Sequence, residues 1–211
     1  MLGSYWSELP IAAKRYILYH ALITPLLFAW WVVPYLMLTT GMTIFEAGIF
    51  YSIAQAVSAF LTFLVGRSLD RHPPNIMIVA TSIVEAASYV IYYFAFKLLS
   101  PALILLGLIV EIGSGVFYPA FPVYEHAVYP EEMREKAFAY HNIVPYLSQA
   151  LTFPLIGYTF GVFLDTVEGM VTGLLVIAFL NVVSVIYPLR ILPWIRPVSY
   201  THLTLPTTER V

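Results

Sequence analysis

Gly66-Arg67-Ser68-Leu69-Asp70-Arg71-His72-Pro73-Pro74-Asn75 is a short polar stretch between two long apolar runs. Ile44 to Val65 precedes it and is rich in small residues; Ile76 to Phe96 follows it and is apolar again. A helix needs roughly 20 apolar residues to cross a bilayer, about 30 Å at 1.5 Å per residue. Both flanks meet that length, so two membrane-spanning helices turn here at one membrane face.

The same pattern runs through the chain. Hydrophobic residues make up 60% of the 211 positions, charged residues 10%, and mean hydropathy is +0.82; soluble domains carry about 25% charged residues. Six candidate spans follow: Ile17 to Met37, Ile44 to Val65, Ile76 to Leu99, Ala102 to Tyr124, Ala137 to Phe163 and Met170 to Leu189. The expected fold is therefore all-α, a polytopic membrane bundle of six transmembrane helices over residues 1–197. Its first partner is the lipid bilayer. The chain has no cysteine, which removes disulfides, Cys-based zinc sites and thiol catalysis. Met1 to Arg15 lacks a small-residue cleavage pattern after the next apolar run, so the first helix is expected to be retained.

If the first helix enters from the cytoplasm, the inner loops hold Lys14, Arg15, Arg67, Arg71, Arg134, Lys136, Arg190 and Arg196, whereas the outer loops hold Lys97. Such a bias follows the positive-inside rule and supports an even number of crossings with both ends in the cytoplasm; the plasma membrane is the expected location. Prolines fall inside the spans at Pro25, Pro34, Pro119, Pro122, Pro145 and Pro154, where kinks are expected and where neighbouring serines or threonines can take up the freed carbonyls. In the second span Gly48, Ser52, Gln55, Ala59, Thr62 and Gly66 share one helical face, which predicts close helix packing there. Thr81, Glu85, Ser88 and Tyr92 form a polar stripe on the third span; Gly107, Glu111, Ser114 and Tyr118 form one on the fourth. Pro130-Glu131-Glu132 opens the fifth helix with acids in its first turn.

Gly66, Asp70 and Arg71 stand where the loop between the second and third helices of major facilitator superfamily transporters carries Gly-x-x-x-Asp-Arg-x-Gly-Arg/Lys. His72, Pro73 and Pro74 replace the second glycine and the basic residues. Gly113-Ser114-Gly115-Val116-Phe117-Tyr118-Pro119, with Pro130 and Arg134 beyond it, is similar to the family's fourth helix and the loop into its fifth. The resemblance covers Ile17 to Leu189 and implies half of such a transporter: two inverted three-helix repeats. Gly66 to Asp70 and Gly161 to Asp165 echo one another at the two helix ends that this symmetry pairs. The resemblance also implies an inner gate at Asp70 and Arg71, with Glu125 and Arg134 as partners. Further partners it implies are a small-molecule solute, a coupling proton and a missing C-terminal six-helix half; no cofactor, metal or nucleic acid is expected.

Two carboxyls lie deep in the bilayer. Glu85 is about 14 Å from the inner end of its helix and Glu111 about 14 Å from the outer end of its own. An ionisable group there costs at least about 2.5 kcal/mol unless it finds a partner, water or a proton. Proton binding and release is one use; hydrogen bonding to a serine or tyrosine of a neighbouring helix is the other. The resemblance ranks Glu111 first, because the family's first and fourth helices line its central cavity. His20, with Thr24, Trp31 and Tyr35, could face the same cavity, and Tyr118 lies on the same stripe as Glu111. Ile109 stands where proton-coupled members often carry arginine, and Phe153 and Tyr158 replace glycines of the antiporter pattern around Pro154 and Gly157. Asn181 in the sixth span is expected to make an interhelical hydrogen bond.

After Pro197 the chain becomes polar and aperiodic. Val198-Ser199-Tyr200-Thr201-His202-Leu203-Thr204-Leu205-Pro206-Thr207 resembles a translated sequencing-library adapter, with an index at Thr208 to Arg210 and a closing valine. Residues 198–211 are thus expected to be a non-native tail, and the natural protein to continue past Pro197. The function expected is secondary active transport of a small solute by alternating access. A polytopic membrane enzyme and a non-transporting sensor or assembly protein are the alternatives. Gly113-Ser114-Gly115 lacks the Gly-x-Ser-Gly order of intramembrane serine proteases, and no Glu-x-x-His or His-Glu-x-x-His metal pattern occurs.

Overall fold

The computed structural model describes residues 6–65 and 71–196. Gly66, Asp70 and the tail over 198–211 lie outside the described residues. The first span is built from α1 (Ile11–Ile23), a 3₁₀ segment (Thr24–Phe28) and α2 (Ala29–Thr39). α3 (Ile44–Val65) and α4 (Pro74–Lys97) form the second and third spans. The fourth is α5 (Pro101–Gly113), a second 3₁₀ segment (Ser114–Phe117) and α6 (Ala120–Val128). A 3₁₀ turn (Glu131–Met133) leads into α7 (Arg134–Val162), and α8 (Val167–Ser184) with α9 (Ile186–Arg190) closes the bundle. No strand occurs among the described residues.

Five of these segments are long and apolar enough to cross a membrane: Ile11–Thr39, Ile44–Phe63, Pro74–Lys97, Pro101–Val128 and Val167–Arg190. The remaining helix, α7, which is the fifth span in chain order, has 29 residues, ample length. It is less apolar because His141, Asn142, Ser148 and Gln149 lie along it and Arg134, Glu135 and Lys136 open it. Exposed side chains such as Phe45, Phe63, Leu155 and Phe179 suit contact with acyl chains and would be a liability in water.

Local sequence sets the ends. Thr43 and Glu46 form a reciprocal capping box at the start of α3: the Thr43 backbone N–H donates to Glu46 Oε2 at 2.8 Å, and the Glu46 N–H donates to Thr43 Oγ1 at 3.2 Å. Ser100 caps α5 ahead of Pro101, and Thr166 caps α8. Pro130 precedes the 3₁₀ turn holding Glu131 and Glu132, so the α-helix proper starts at Arg134 rather than at the proline.

The prolines divide into two classes. Pro34, Pro145 and Pro154 sit within continuous helices. The first and fourth spans instead tighten into 3₁₀ geometry, the first around Pro25 and the fourth just ahead of Pro119. Pro25 has no N–H to give to the carbonyl one turn back, that of Ala21. Ser148 of α7 supplies the missing donor, its Oγ lying 2.7 Å from the Ala21 oxygen. At the other break Ser58 of α3 donates to the Ile112 carbonyl at 3.0 Å.

The second span packs on the fourth, the first on the fifth, and the third on both the fourth and the sixth. Exchanging the first three spans with the last three carries the second–fourth contact into the fifth–first contact, and leaves third-on-sixth unchanged. That is the arrangement of two like three-helix units. The small-residue face of α3 does not pack as the spacing predicts. Ser52, Gln55 and Ala59 are exposed, and a Cβ on Gly48 would meet nothing within 4 Å. α3 instead buries Ala54 and Ser58, because its neighbour α5 lies on that adjacent face.

Two apolar clusters hold the bundle. One gathers Val33, Leu36, Met37, Tyr89, Tyr92, Leu108 and Leu174; the other gathers Tyr16, Ile17, Tyr19, Ile78, Tyr124 and Tyr129. Asn75, fully buried at the start of α4, clamps the chain after α9: its Nδ2 donates to the Pro193 carbonyl at 3.1 Å and its Oδ1 accepts from the Ile195 N–H at 3.1 Å.

Ser148→Ala leaves the Ala21 carbonyl without its donor in an environment that offers no water. The expected loss is about 0.6–1.7 kcal/mol of stability, read from unfolding of the purified chain in detergent micelles. A loss near zero would show that the carbonyl finds another partner.

Candidate functional site

Two adjoining cavities open at the 3₁₀ breaks. The first, of about 360 Å³, is lined by Trp30, Tyr51, Gln55, Ser58, Thr62, Glu111, Ile112, Gly115 and Tyr118. The second, of about 300 Å³, is lined by Tyr19, His20, Ile23, Thr24, Leu26, Leu27, Trp30, Thr81, Ser82, Glu85, Tyr118, Phe121 and Asn181. Trp30 and Tyr118 belong to both walls.

Each carboxyl meets a tyrosine. Glu111 is buried, and Tyr92 of α4 donates to its Oε2 at 2.6 Å. The Tyr92 ring reaches that position because Gly107 stands beside it. A Cβ at Gly107 would lie 2.5 Å from Tyr92 Cε1, well inside contact distance. Glu85 projects from α4 the other way, and its Oε1 accepts from Tyr118 at 3.0 Å and, at the 3.5 Å limit, from Ser114. Hydrogen bonds of this kind are what make a buried carboxyl tolerable in a low-dielectric interior. Glu85 and Glu111, foreseen from their depth, thus lie in neighbouring cavities whose shared wall is Tyr118.

His20 lines the second cavity together with Thr24. Trp31 and Tyr35, expected alongside, are 69% and 52% exposed and line neither; Trp30, the next residue round the helix, takes the place. Asn181 also faces the second cavity, and its Nδ2 donates to the Ile177 carbonyl of its own helix at 3.1 Å rather than across helices.

At the end of the bundle where the first span begins, Glu125 turns inward. Its Oε1 accepts from Tyr16 Oη at 3.4 Å and lies 3.6 Å from His141 Nε2. No ion pair joins Glu125 to Arg134, whose Nε is buried without a hydrogen-bond partner; Arg71 is exposed. His141 Nδ1 is 2.6 Å from Tyr129 Oη. Among the described residues, one group could hold a metal ion: a ring nitrogen of His20, one of His141 and a carboxylate oxygen of Glu125 lie within 4.8 Å of one another. Sequence reasoning did not single out His141. A histidine seven residues into the most polar of the long helices was the available signal.

Residues 17–207 match the Major Facilitator Superfamily. The chain belongs to that family, one of membrane transporters, and is a multi-pass membrane protein. No curated protein and no solved structure matches it.

Tyr92→Phe leaves Glu111 buried without its donor, and the expected loss of stability is about 1–3 kcal/mol. Gly107→Ala drives the ring off the same hydrogen bond. Because both changes act on one contact, Gly107→Ala should cost less in the Tyr92→Phe background than alone. Unfolding midpoints of the two single variants and the double variant decide this, and strict additivity would separate Gly107 from the carboxyl.

Proposed function

We propose that this member of the Major Facilitator Superfamily is the amino-terminal half of a secondary active transporter that moves a small solute by alternating access. The observation that carries the reading is the pair of carboxyls, Glu111 and Glu85, in adjoining cavities that share Tyr118 and Trp30. Ionisable groups held deep in a membrane bundle and facing a cavity mark solute or ion pathways. A carboxyl hydrogen-bonded by a phenol can exchange that bond for one to a solute amine or hydroxyl, or take a proton when the phenol turns away. Glu111 is assigned the first contact with solute or proton, Glu85 the second, with His20 and Tyr118 completing the walls.

In this reading Gly66, Asp70 and Arg71 form the inner gate with Glu125 and Arg134, and both chain ends are cytoplasmic, as the basic loop residues favour. The small-residue face of α3 supports a missing second six-helix half. Gly48, Ser52 and Ala59 are exposed there, and on α7 Gly161 has nothing near it. Such faces are made for close helix contact, and a second bundle would supply it. Residues 198–211 are then a non-native tail. The family match runs to residue 207 and takes in much of that stretch, so the source DNA is what separates the two.

Amplification of the source gene across the codon for Pro197 should reveal a reading frame that continues into a linker and further spans. The whole protein, reconstituted in liposomes and screened against small solutes under a proton gradient, should then take up at least one of them. Glu111→Gln should lower that uptake at least about tenfold, equivalent to about 1.4 kcal/mol, with the protein still folded. A frame that stops within a few residues of Pro197 would overturn the half-transporter reading in favour of a dimer of bundles or a non-transporting protein. Unchanged uptake in Glu111→Gln would remove Glu111 from the path.

A further inference from the structure

His20 of α1, Glu125 of α6 and His141 of α7 come from the first, fourth and fifth spans and meet at one end of the bundle. Their ligand atoms lie within 4.8 Å of one another, and the shortest measured separation, His141 Nε2 to Glu125 Oε1, is 3.6 Å. Two donors bound at about 2.0–2.1 Å to one tetrahedral ion stand about 3.3 Å apart. That pair is therefore already near the spacing a shared ion imposes, and the third ligand lies within 4.8 Å of both, a closure of at most about 1.5 Å.

The surroundings are those of a ligand set. His141 is fixed by Tyr129 Oη at its Nδ1, 2.6 Å away, which directs Nε2 at Glu125. Metal-binding histidines commonly have the second ring nitrogen held by an oxygen in this way. Tyr16 Oη lies 3.2 Å from the Phe121 carbonyl oxygen and 3.4 Å from Glu125 Oε1, so its one proton is shared between them beside the carboxylate. His20 is the telling member: its Nε2 is buried and has no hydrogen-bond partner, although its ring lies 4.4 Å from that of His141, centroid to centroid. The approach of Glu125 to His141 leaves that nitrogen unsatisfied, at a desolvation cost. A cation at the centre satisfies all three groups together.

We propose that His20, Glu125 and His141 bind one divalent transition-metal ion of the zinc class, with a fourth position left to water. Two imidazoles and a carboxylate suit borderline ions such as Zn2+ and Co2+, whereas Mg2+ and Ca2+ require oxygen ligands. The site ties three spans together at the end opposite to the Lys97 loop; it takes His20 from the second cavity and Glu125 from the inner gate of the proposed function, and its metal readout does not depend on solute uptake.

The test uses the full chain, purified in detergent with an affinity tag free of histidine, and Co2+ as the probe. Visible d–d absorption should saturate at one equivalent and be abolished by Zn2+ but not by Mg2+. His20→Ala with His141→Ala should remove the bands, while changing His72, His126 and His202 to alanine should leave them. Tyr129→Phe keeps every ligand and should weaken binding about 10–100-fold. If the double histidine variant does not fold, X-ray absorption at the zinc edge of the unaltered protein still decides, since it should show two imidazoles and an oxygen donor. Absence of saturable bands, bands that survive loss of His20 and His141, or an absorption edge without two imidazoles would overturn the proposal.

Discussion

A backbone carbonyl inside a bilayer has no water to turn to, and the architecture follows from where this chain lets its carbonyls go unpaired. Pro25 removes one donor in the first span, and the fourth span tightens into 3₁₀ form ahead of Pro119. A neighbouring helix bonds to each break: Ser148 of α7 supplies the donor missing at Ala21, and Ser58 of α3 adds one at the Ile112 carbonyl. Those bonds fix which helices touch: the first with the fifth, the fourth with the second. They also fix where space remains. Thr24, Leu26 and Leu27 of the first break line one cavity and Gly115 of the second lines the other. Irregular backbone at depth is tolerated where protein or cavity surrounds it, and here both do.

Tyrosine does the work that leucine does in a water-soluble core. Tyr16, Tyr19, Tyr89, Tyr92, Tyr124 and Tyr129 are all almost fully buried. The ring supplies apolar area, and in four of the six the hydroxyl reaches a polar partner, whereas the Tyr19 hydroxyl is buried without one. Tyr92 reaches Glu111, Tyr16 reaches Glu125, Tyr124 reaches the Pro193 carbonyl, and Tyr129 reaches His141. A phenylalanine in any of these four places would fill nearly the same volume and leave a polar atom stranded.

The spans were legible because their length and apolarity are properties of the residues alone. Ile44 to Val65 is an expected run that the structure reproduces as α3 residue for residue. The depth of Glu85 and Glu111 was legible for the same reason, as a count of residues along a helix. Direction around the helix was less so. The small residues of α3 were expected to pack, yet Ala54 and Ser58 face α5 instead, because which face meets a neighbour depends on partners that no single helix encodes. Trp30 rather than Trp31 lines the cavities by the same logic: the 3₁₀ break just before it rotates the following turn. The pairing of Glu125 with His141 could not be seen from either helix, since it requires the fourth and fifth spans to converge at one end.

The fourth span links these features into one surface. Gly107 admits Tyr92, Glu111 receives its hydroxyl, Ser114 and Tyr118 hold Glu85, and Glu125 meets His141. The steps between them are three, four and seven residues, so all lie along one helical face. A continuous α-helix would carry that face past its neighbours at a single angle. The 3₁₀ segment at Ser114–Phe117 rewinds it midway, so that Glu111 faces the second and third spans above the break while Glu125 faces the first and fifth below it. One helix face thereby serves two sets of partners. A rotation of the fourth span about its break would be felt at Glu111, at Glu85 through Tyr118, and at the histidine cluster together.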